Sequence, residues 1–205
     1  MIIFDLDHTL FNTDILKKDF KRVFLSHGFS EKDFLETFKK AYDIEPKTKG
    51  CYSIDKHLSI LSQFDRKQKE LIKDQLLKIM ARRGTGYLYR DTIPLLKKLR
   101  TAGVSMVLVT KGNSTFQKLK LSVAKLDSYF REIHIIPDDK VHIIKKFYKN
   151  KTININDRKD ELQQSKKAFP NLVCILVERN NKKNKQQRMG GVITVSNLGQ
   201  VFRYT

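Results

Sequence analysis

IIFDLDHTLF, residues 2–11, joins an unbroken apolar run to two carboxylates, Asp5 and Asp7, with Thr9 two places further on. An apolar run without polar alternation reads as a short strand buried on both faces, the kind found in parallel sheets covered by helices. Ligands of open parallel sheets bind beyond the carboxyl ends of the strands. Two acids at that point therefore ask whether later strands end in matching chemistry.

Helical periodicity follows the first strand. Leu16, Phe20, Val23 and Phe24 share one face, and Gly28 stops that helix. Ser30 and Asp33 form a capping pair ahead of Phe34, Phe38 and Tyr42 at four-residue steps. After the loop DIEPKTKGC (43–51), helices are predicted over 53–64 and 66–83, the second with Ile72, Leu76, Ile79 and Met80 along one side. The pattern then alternates. Helices are predicted over 92–103, 114–126, 139–149 and 159–169. Strands are predicted over 104–110, 132–136, 151–156 and 171–177, with another at GVITVSN (191–197). Alternation of this kind predicts a doubly wound, parallel, Rossmann-like α/β sheet with right-handed crossovers. The predicted core is 1–11 with 89–205, and residues 12–88 are an inserted all-helical segment.

The strand ends carry polar chemistry. The strand over 104–110 ends in Thr110, then Lys111, Gly112 and Asn113. The strand over 151–156 ends in Asn156 and Asp157, with Asp160 and Glu161 just after, and Lys140 lies in PDDK ahead of the preceding helix. Each residue alone has an ordinary explanation: aspartate caps helices, threonine favours strands and lysine is usually solvated. Their joint placement at one sheet edge is what marks a site.

These motifs resemble the haloacid dehalogenase superfamily, in its phosphatase branch. FDLDHTLF resembles the family's D-x-D-x-T signature, VLVTKGN its second motif, Lys140 its third and INDRKDEL its acidic fourth. The inserted helical segment matches a cap placed after the first motif. Asn156 stands where a small residue is common, and His8 where glycine is common. The second acid of the fourth motif is Asp160 or Glu161, and the spacing favours Glu161.

The resemblance implies a phosphatase working through an aspartyl-phosphate, with Asp5 as nucleophile and Asp7 as acid and base. Two close carboxylates do not titrate independently, which helps one stay protonated. Mg²⁺ suits a cluster of carboxylates and waters. Its implied ligands are the side chains of Asp5 and Asp157 and the backbone carbonyl of Asp7, with Glu161 acting less directly. Lys140 would neutralise the phosphate and Asp5, with Lys111 as the alternative lysine. Thr110 and nearby backbone N–H groups, Gly112 included, would hold phosphoryl oxygens. A phosphomutase on the same scaffold is the first alternative. A halide leaving group needs no proton donor, so Asp7 favours phosphoryl transfer over dehalogenation.

Composition sets the remaining bounds. Thirteen Phe and seven Tyr among 205 residues are enough for a packed core. A net charge of +19 implies a surface that attracts anions: phosphorylated metabolites, nucleic acid or acidic membranes. A basic nucleic-acid-binding protein on this fold is therefore the second alternative, although no nucleic-acid-binding module is recognisable. No apolar run approaches the roughly 20 residues of a membrane span, and the start IIFDLD carries no signal-peptide pattern, so the expectation is a cytoplasmic protein. Cys174, in LVCILV, reads as a buried small hydrophobe, and the histidines show no metal-ligand spacing. The expected partner is a phosphorylated small molecule. Lys47 and Lys49 beside Gly50 would favour an anionic or multiply phosphorylated one, and the basic stretch 179–188 reads as a solvated loop.

Overall fold

The computed structural model describes residues 1–43, 51–179 and 190–205. Lys47 and Lys49, and most of the basic stretch 179–188, lie outside the described residues. The elements run β1 (Ile2–Phe4), α1 (Thr13–Ser26), α2 (Glu31–Asp43), α3 (Ile54–Ser59), α4 (Arg66–Arg83), α5 (Thr92–Thr101), β2 (Met106–Lys111), α6 (Ser114–Val123), β3 (Glu132–Ile136), α7 (Val141–Phe147), β4 (Ile153–Asn156), α8 (Lys159–Ala168), β5 (Val173–Val177) and β6 (Val192–Val195). A 3₁₀ turn follows α4 at Gly84–Tyr87, and another, Leu198–Tyr204, packs on α5.

The six strands form one parallel sheet in the order β3-β2-β1-β4-β5-β6. Strand order reverses at β1, which pairs with β2 on one side and β4 on the other. The carboxyl end of β1 is thus the switch point where a doubly wound sheet opens a crevice.

Alternating side chains sort to the two faces. Ile2, Phe4, Leu108, Ile155 and Ile175 pack with α5, α6 and the helices of the inserted segment. Ile3, Val107, Val109, Cys174 and Leu176 pack under α7 and α8. Cys174 is fully buried there, as its apolar neighbours predict. The larger apolar cluster continues without a break from the sheet into the helical segment, through Phe20, Phe24, Phe34 and Phe38.

The helix starts follow local rules. Ser30 and Asp33 exchange backbone–side-chain bonds of 3.1 and 3.2 Å, and Asp65 with Gln68 forms a second capping box. The predicted helix over 53–64 is shorter than expected and ends at Ser59. The chain turns so that Leu61 enters the core and Phe64 stacks on Phe29 at 5.2 Å. Among the described residues, no helix is long and apolar enough to cross a membrane.

The two connections between sheet and helical segment run side by side. Asn12 N–H donates to Tyr87 O at 2.7 Å, and Tyr89 N–H donates to Leu10 O at 3.1 Å. Arg179, at the end of β5, clasps both: its guanidinium donates to Thr9 O and to Asp91 Oδ2, each at 2.6 Å. A second clasp lies further out. Asp19 of α1 is buried and accepts from Arg83 at 2.6 and 3.1 Å and from the Tyr87 hydroxyl at 3.0 Å.

A buried carboxylate that loses its cation is left uncompensated, while removing both partners costs less. Arg83→Met should destabilise the protein by about 2–3 kcal/mol, less than for a fully buried pair because Arg83 is partly exposed. Adding Asp19→Leu should recover part of that loss. Urea denaturation of the two single variants and the double variant would read the coupling, and strict additivity would remove the clasp.

Candidate active site

β1 delivers Asp5 to the sheet edge with its side chain almost fully buried. Asp5 Oδ1 accepts from Lys140 Nζ at 2.6 Å, and Oδ2 accepts from Thr9 Oγ1 at 3.3 Å. Lys140, the residue immediately before α7, is buried and also pairs with Glu161 Oε2 at 2.7 Å. Its two carboxylate partners outweigh the cost of burial and push its pKa up, so it stays an ammonium.

Glu161 is the fourth-motif acid that faces this ammonium. Asp160 turns outward to Arg158. Asn156, where a small residue was the common choice, has a defined job. Its amide donates to Glu161 Oε2 at 2.8 Å, and its Oδ1 accepts from Arg158 N–H at 3.0 Å. Glu161 therefore bonds Lys140 directly. His8 adopts φ 56°, the left-handed backbone that glycine favours.

Asp7 is held by three donors from two elements. Thr13 Oγ1 of α1 and Lys120 Nζ of α6 each reach Oδ1 at 2.5 Å, and Gln117 Nε2 reaches Oδ2 at 2.8 Å. Burial pushes the Asp7 carboxyl up, but Lys120, Gln117 and Thr13 more than offset it and hold it below the ordinary carboxylate range. Lys120 and Gln117 were not singled out in the sequence. The available signal was a lysine four residues after Phe116, on the buried face of α6, where a solvated side chain does not belong.

The strand end that carries the second motif is less simple. Thr110 is buried beneath the cavity wall, its hydroxyl accepting from Gln117 Nε2 at 3.1 Å. Lys111 and Gly112 line the cavity itself. The Gly112 N–H is committed to Ile136 O at 2.9 Å, so that amide is not free for a phosphoryl oxygen. A Cβ on Gly112 would lie 2.7 Å from Gln117 Nε2, which is what the glycine permits.

Asp157 completes the cluster. Among the described residues it has no ion-pair partner, yet it lies in the same cavity as Asp5, Asp7 and Glu161. Burial and the Asp5 charge, only partly offset by Lys140, push its carboxyl up to about 8. Burial raises Asp5 as well, against the pull of Lys140. Four carboxylates thus share two buried ammonium groups. Asp157 is left without either of them, and that unpaired carboxylate beside Asp5 is where a divalent cation would fit. Among the described residues no three His, Cys, Asp or Glu side chains gather as a metal-binding group. Two carboxylates plus a backbone carbonyl and water would suffice for Mg²⁺, which keeps much of its hydration shell.

Comparison with known proteins agrees with this geometry. No curated protein matches the chain. A haloacid dehalogenase-like hydrolase from Burkholderia xenovorans superposes with a TM-score of 0.75 at 16% identity, over 98% of this chain and 94% of that one. The magnesium-bound HAD-hydrolase YfnB from Bacillus subtilis gives 0.63 at 15% identity, over 98% and 96%. L-2-haloacid dehalogenase from Xanthobacter autotrophicus gives 0.64 at 11%, over 98% and 96%. At these identities the likeness is one of fold. Residues 1–169 match the family described as haloacid dehalogenase-like hydrolase, so the chain belongs to that family and is a hydrolase of its kind.

Proposed function

We propose that this protein is a Mg²⁺-dependent phosphatase that hydrolyses a phosphorylated small molecule through an aspartyl-phosphate on Asp5, beneath a cap formed by residues 12–88. The observation that carries this reading is the division of labour between two neighbouring carboxylates. Asp5 pairs with Lys140, while Asp7, two residues on, is held by a separate set of donors. A nucleophile and a proton carrier need different surroundings, and these two differ. Before substrate enters, burial raises Asp5, while Lys120, Gln117 and Thr13 outweigh burial and hold Asp7 down. Contrary to the sequence expectation, Asp7 is therefore not the acid kept protonated, and it must gain its proton as the phosphoryl group binds.

In the proposed reaction Asp5 Oδ2, held only by a long bond to Thr9, attacks phosphorus. The bond from phosphorus to the ester oxygen breaks, and that oxygen takes a proton from Asp7. A phosphoryl group entering the cavity brings negative charge beside Asp7 and raises its proton affinity. Asp7 then takes a proton from water, which attacks the aspartyl-phosphate and releases phosphate and the free Asp5 carboxylate. Lys140 and Lys111 would neutralise phosphoryl charge, while Thr110, buried beneath the wall, would act only by holding Gln117. The Asp5 and Asp157 carboxylates and the Asp7 carbonyl would hold Mg²⁺, which when bound supplies positive charge to the phosphoryl oxygens. The role of Asp7 is what favours this reaction over dehalogenation, where the departing halide takes no proton.

Asp5→Asn should lower phosphate release by about 10⁴-fold or more while leaving the circular dichroism spectrum intact. Asp7→Asn should lose most turnover of an alkyl phosphate but far less of the first step with an aryl phosphate, whose leaving group needs less proton help. Equal losses on both substrates would remove Asp7 from the acid role.

The Asp157 carboxyl gives a pH test. Its folded pKa of about 8 lies above the ordinary 3.8, so the native metal-free protein binds the extra proton. Its contribution to stability is therefore present at low pH and is lost as pH rises from about 4 through about 8. Metal-free Asp157→Asn should escape that loss, so its Tm relative to wild type should rise across this window. Mg²⁺ binding should displace the proton, so affinity should climb by up to about tenfold per pH unit below pH 8. Calorimetric titration at pH 6 and pH 8 checks this, and a flat affinity would remove Asp157 as a ligand.

A further inference from the structure

The cavity above Asp5 has two unlike walls. One is the polar sheet edge already described. The other is aromatic, formed by Phe20 of α1, Phe38 and Tyr42 of α2, Tyr52 ahead of α3, and Phe116 of α6. These rings are in mutual contact. Phe38 stacks on Tyr52 at 4.7 Å, Tyr52 meets Phe116 edge-on at 5.0 Å, and Tyr42 lies 5.4 Å from Phe38.

We infer that this wall is a subsite for a flat aromatic ring on the leaving group, so that the substrate class is a compact phosphomonoester of a ring-bearing alcohol. The inference rests on the phosphatase reading for the identity of the group at Asp5.

Three observations carry it. The first is that the polar atom of Tyr52 is used elsewhere. Its hydroxyl bonds His57 Nδ1 at 3.0 Å, and His57 Nε2 bonds Thr37 Oγ1 at 2.9 Å. Burial pushes His57 down to about 3, so the ring is neutral and the pair is a fixed internal brace. Tyr52 therefore offers the cavity its ring rather than its hydroxyl. The second is that the wall is built of ring faces. Lys111, Lys140 and Arg158 lie at the carboxylate edge, while two ammonium groups lie over rings of the wall, Lys17 over Phe38 at 4.7 Å and Lys120, which also holds Asp7, over Phe116 at 5.4 Å. An aromatic face next to aromatic faces gains offset and edge contacts beyond simple burial. The third is size. The cavity is about 250 Å³, at the small end for ligand sites, so a phosphoryl group plus a single ring is the scale that fits.

The test is direct binding, which does not depend on turnover. Benzylphosphonate and methylphosphonate carry the same anionic head and differ by the ring. Calorimetry with the wild-type chain in the presence of Mg²⁺ should show benzylphosphonate binding at least about tenfold more tightly. Phe116→Leu and Tyr42→Leu should each shrink that ratio about threefold or more, whereas Tyr42→Phe should keep it, because the ring and not the hydroxyl is the contact. Equal affinity for the two phosphonates in the wild-type protein would overturn the subsite, as would a ratio that survives both leucine variants. The parallel turnover assay uses benzyl phosphate and propyl phosphate. Turnover of both with no ring preference overturns the subsite and leaves the phosphatase reading standing. A phosphonate ring preference without hydrolysis of either ester overturns the phosphatase reading and leaves the subsite standing.

Discussion

One buried ammonium holds the reactive edge of this protein together. Lys140 Nζ lies 2.6 Å from Asp5 and 2.7 Å from Glu161. It thereby ties the end of the first strand to the start of α7 and the first turn of α8. Asp5 could not be buried at a sheet edge without that cation, because an unpaired carboxylate in low dielectric would take up a proton or draw in water. Asn156 extends the arrangement by holding Glu161 at 2.8 Å. The sheet order places these pieces side by side, with β1 and β4 adjacent, but the ion pairs fix their side chains.

Charge is spread over the outside of the molecule and paired within its cavity. The whole chain carries +19, and its cavity gathers Asp5, Asp7, Asp157 and Glu161 beside Lys17, Lys111, Lys120, Lys140 and Arg158. A positive exterior draws anions toward the protein over distances set by salt screening. At the cavity Asp5, Asp7 and Glu161 are ion-paired, and among the described residues Asp157 is the carboxylate an entering anion meets without a cation partner. Attraction and admission are thus controlled by different groups.

Much of this was readable in the sequence. Continuous apolar strands and four-residue apolar steps mark themselves, and β2, β4 and β5 fall where their runs predict. Asp5, Lys140 and Asp157 could be read because each sits at a strand end or helix start, where backbone direction alone sets position. What stayed hidden were pairings across the chain. Nothing near Asp7 announces Lys120, which sits 113 residues away. Arg179 looked like the first residue of a basic loop, although it spans Thr9 and Asp91. The split between Asp160 and Glu161 is one residue of helical rotation, about 100°. Spacing pointed to Glu161, and the direction of Lys140 explains why.

The placement of β1 in the sheet has a consequence for how the molecule is assembled. Its three residues are central, yet Ile3 pairs with Val107 on one side and Asn154 on the other, with the whole helical segment intervening. Closing such long loops is entropically costly and slows folding relative to local contacts. A nascent chain exposes Asp5 early but has no neighbours for it until β2 and β4 have been synthesised. The charge arrangement at this edge is therefore a property of the finished sheet, and a truncated chain that stops short of β4 would carry Asp5 and Lys140 without Glu161, the lysine's second carboxylate.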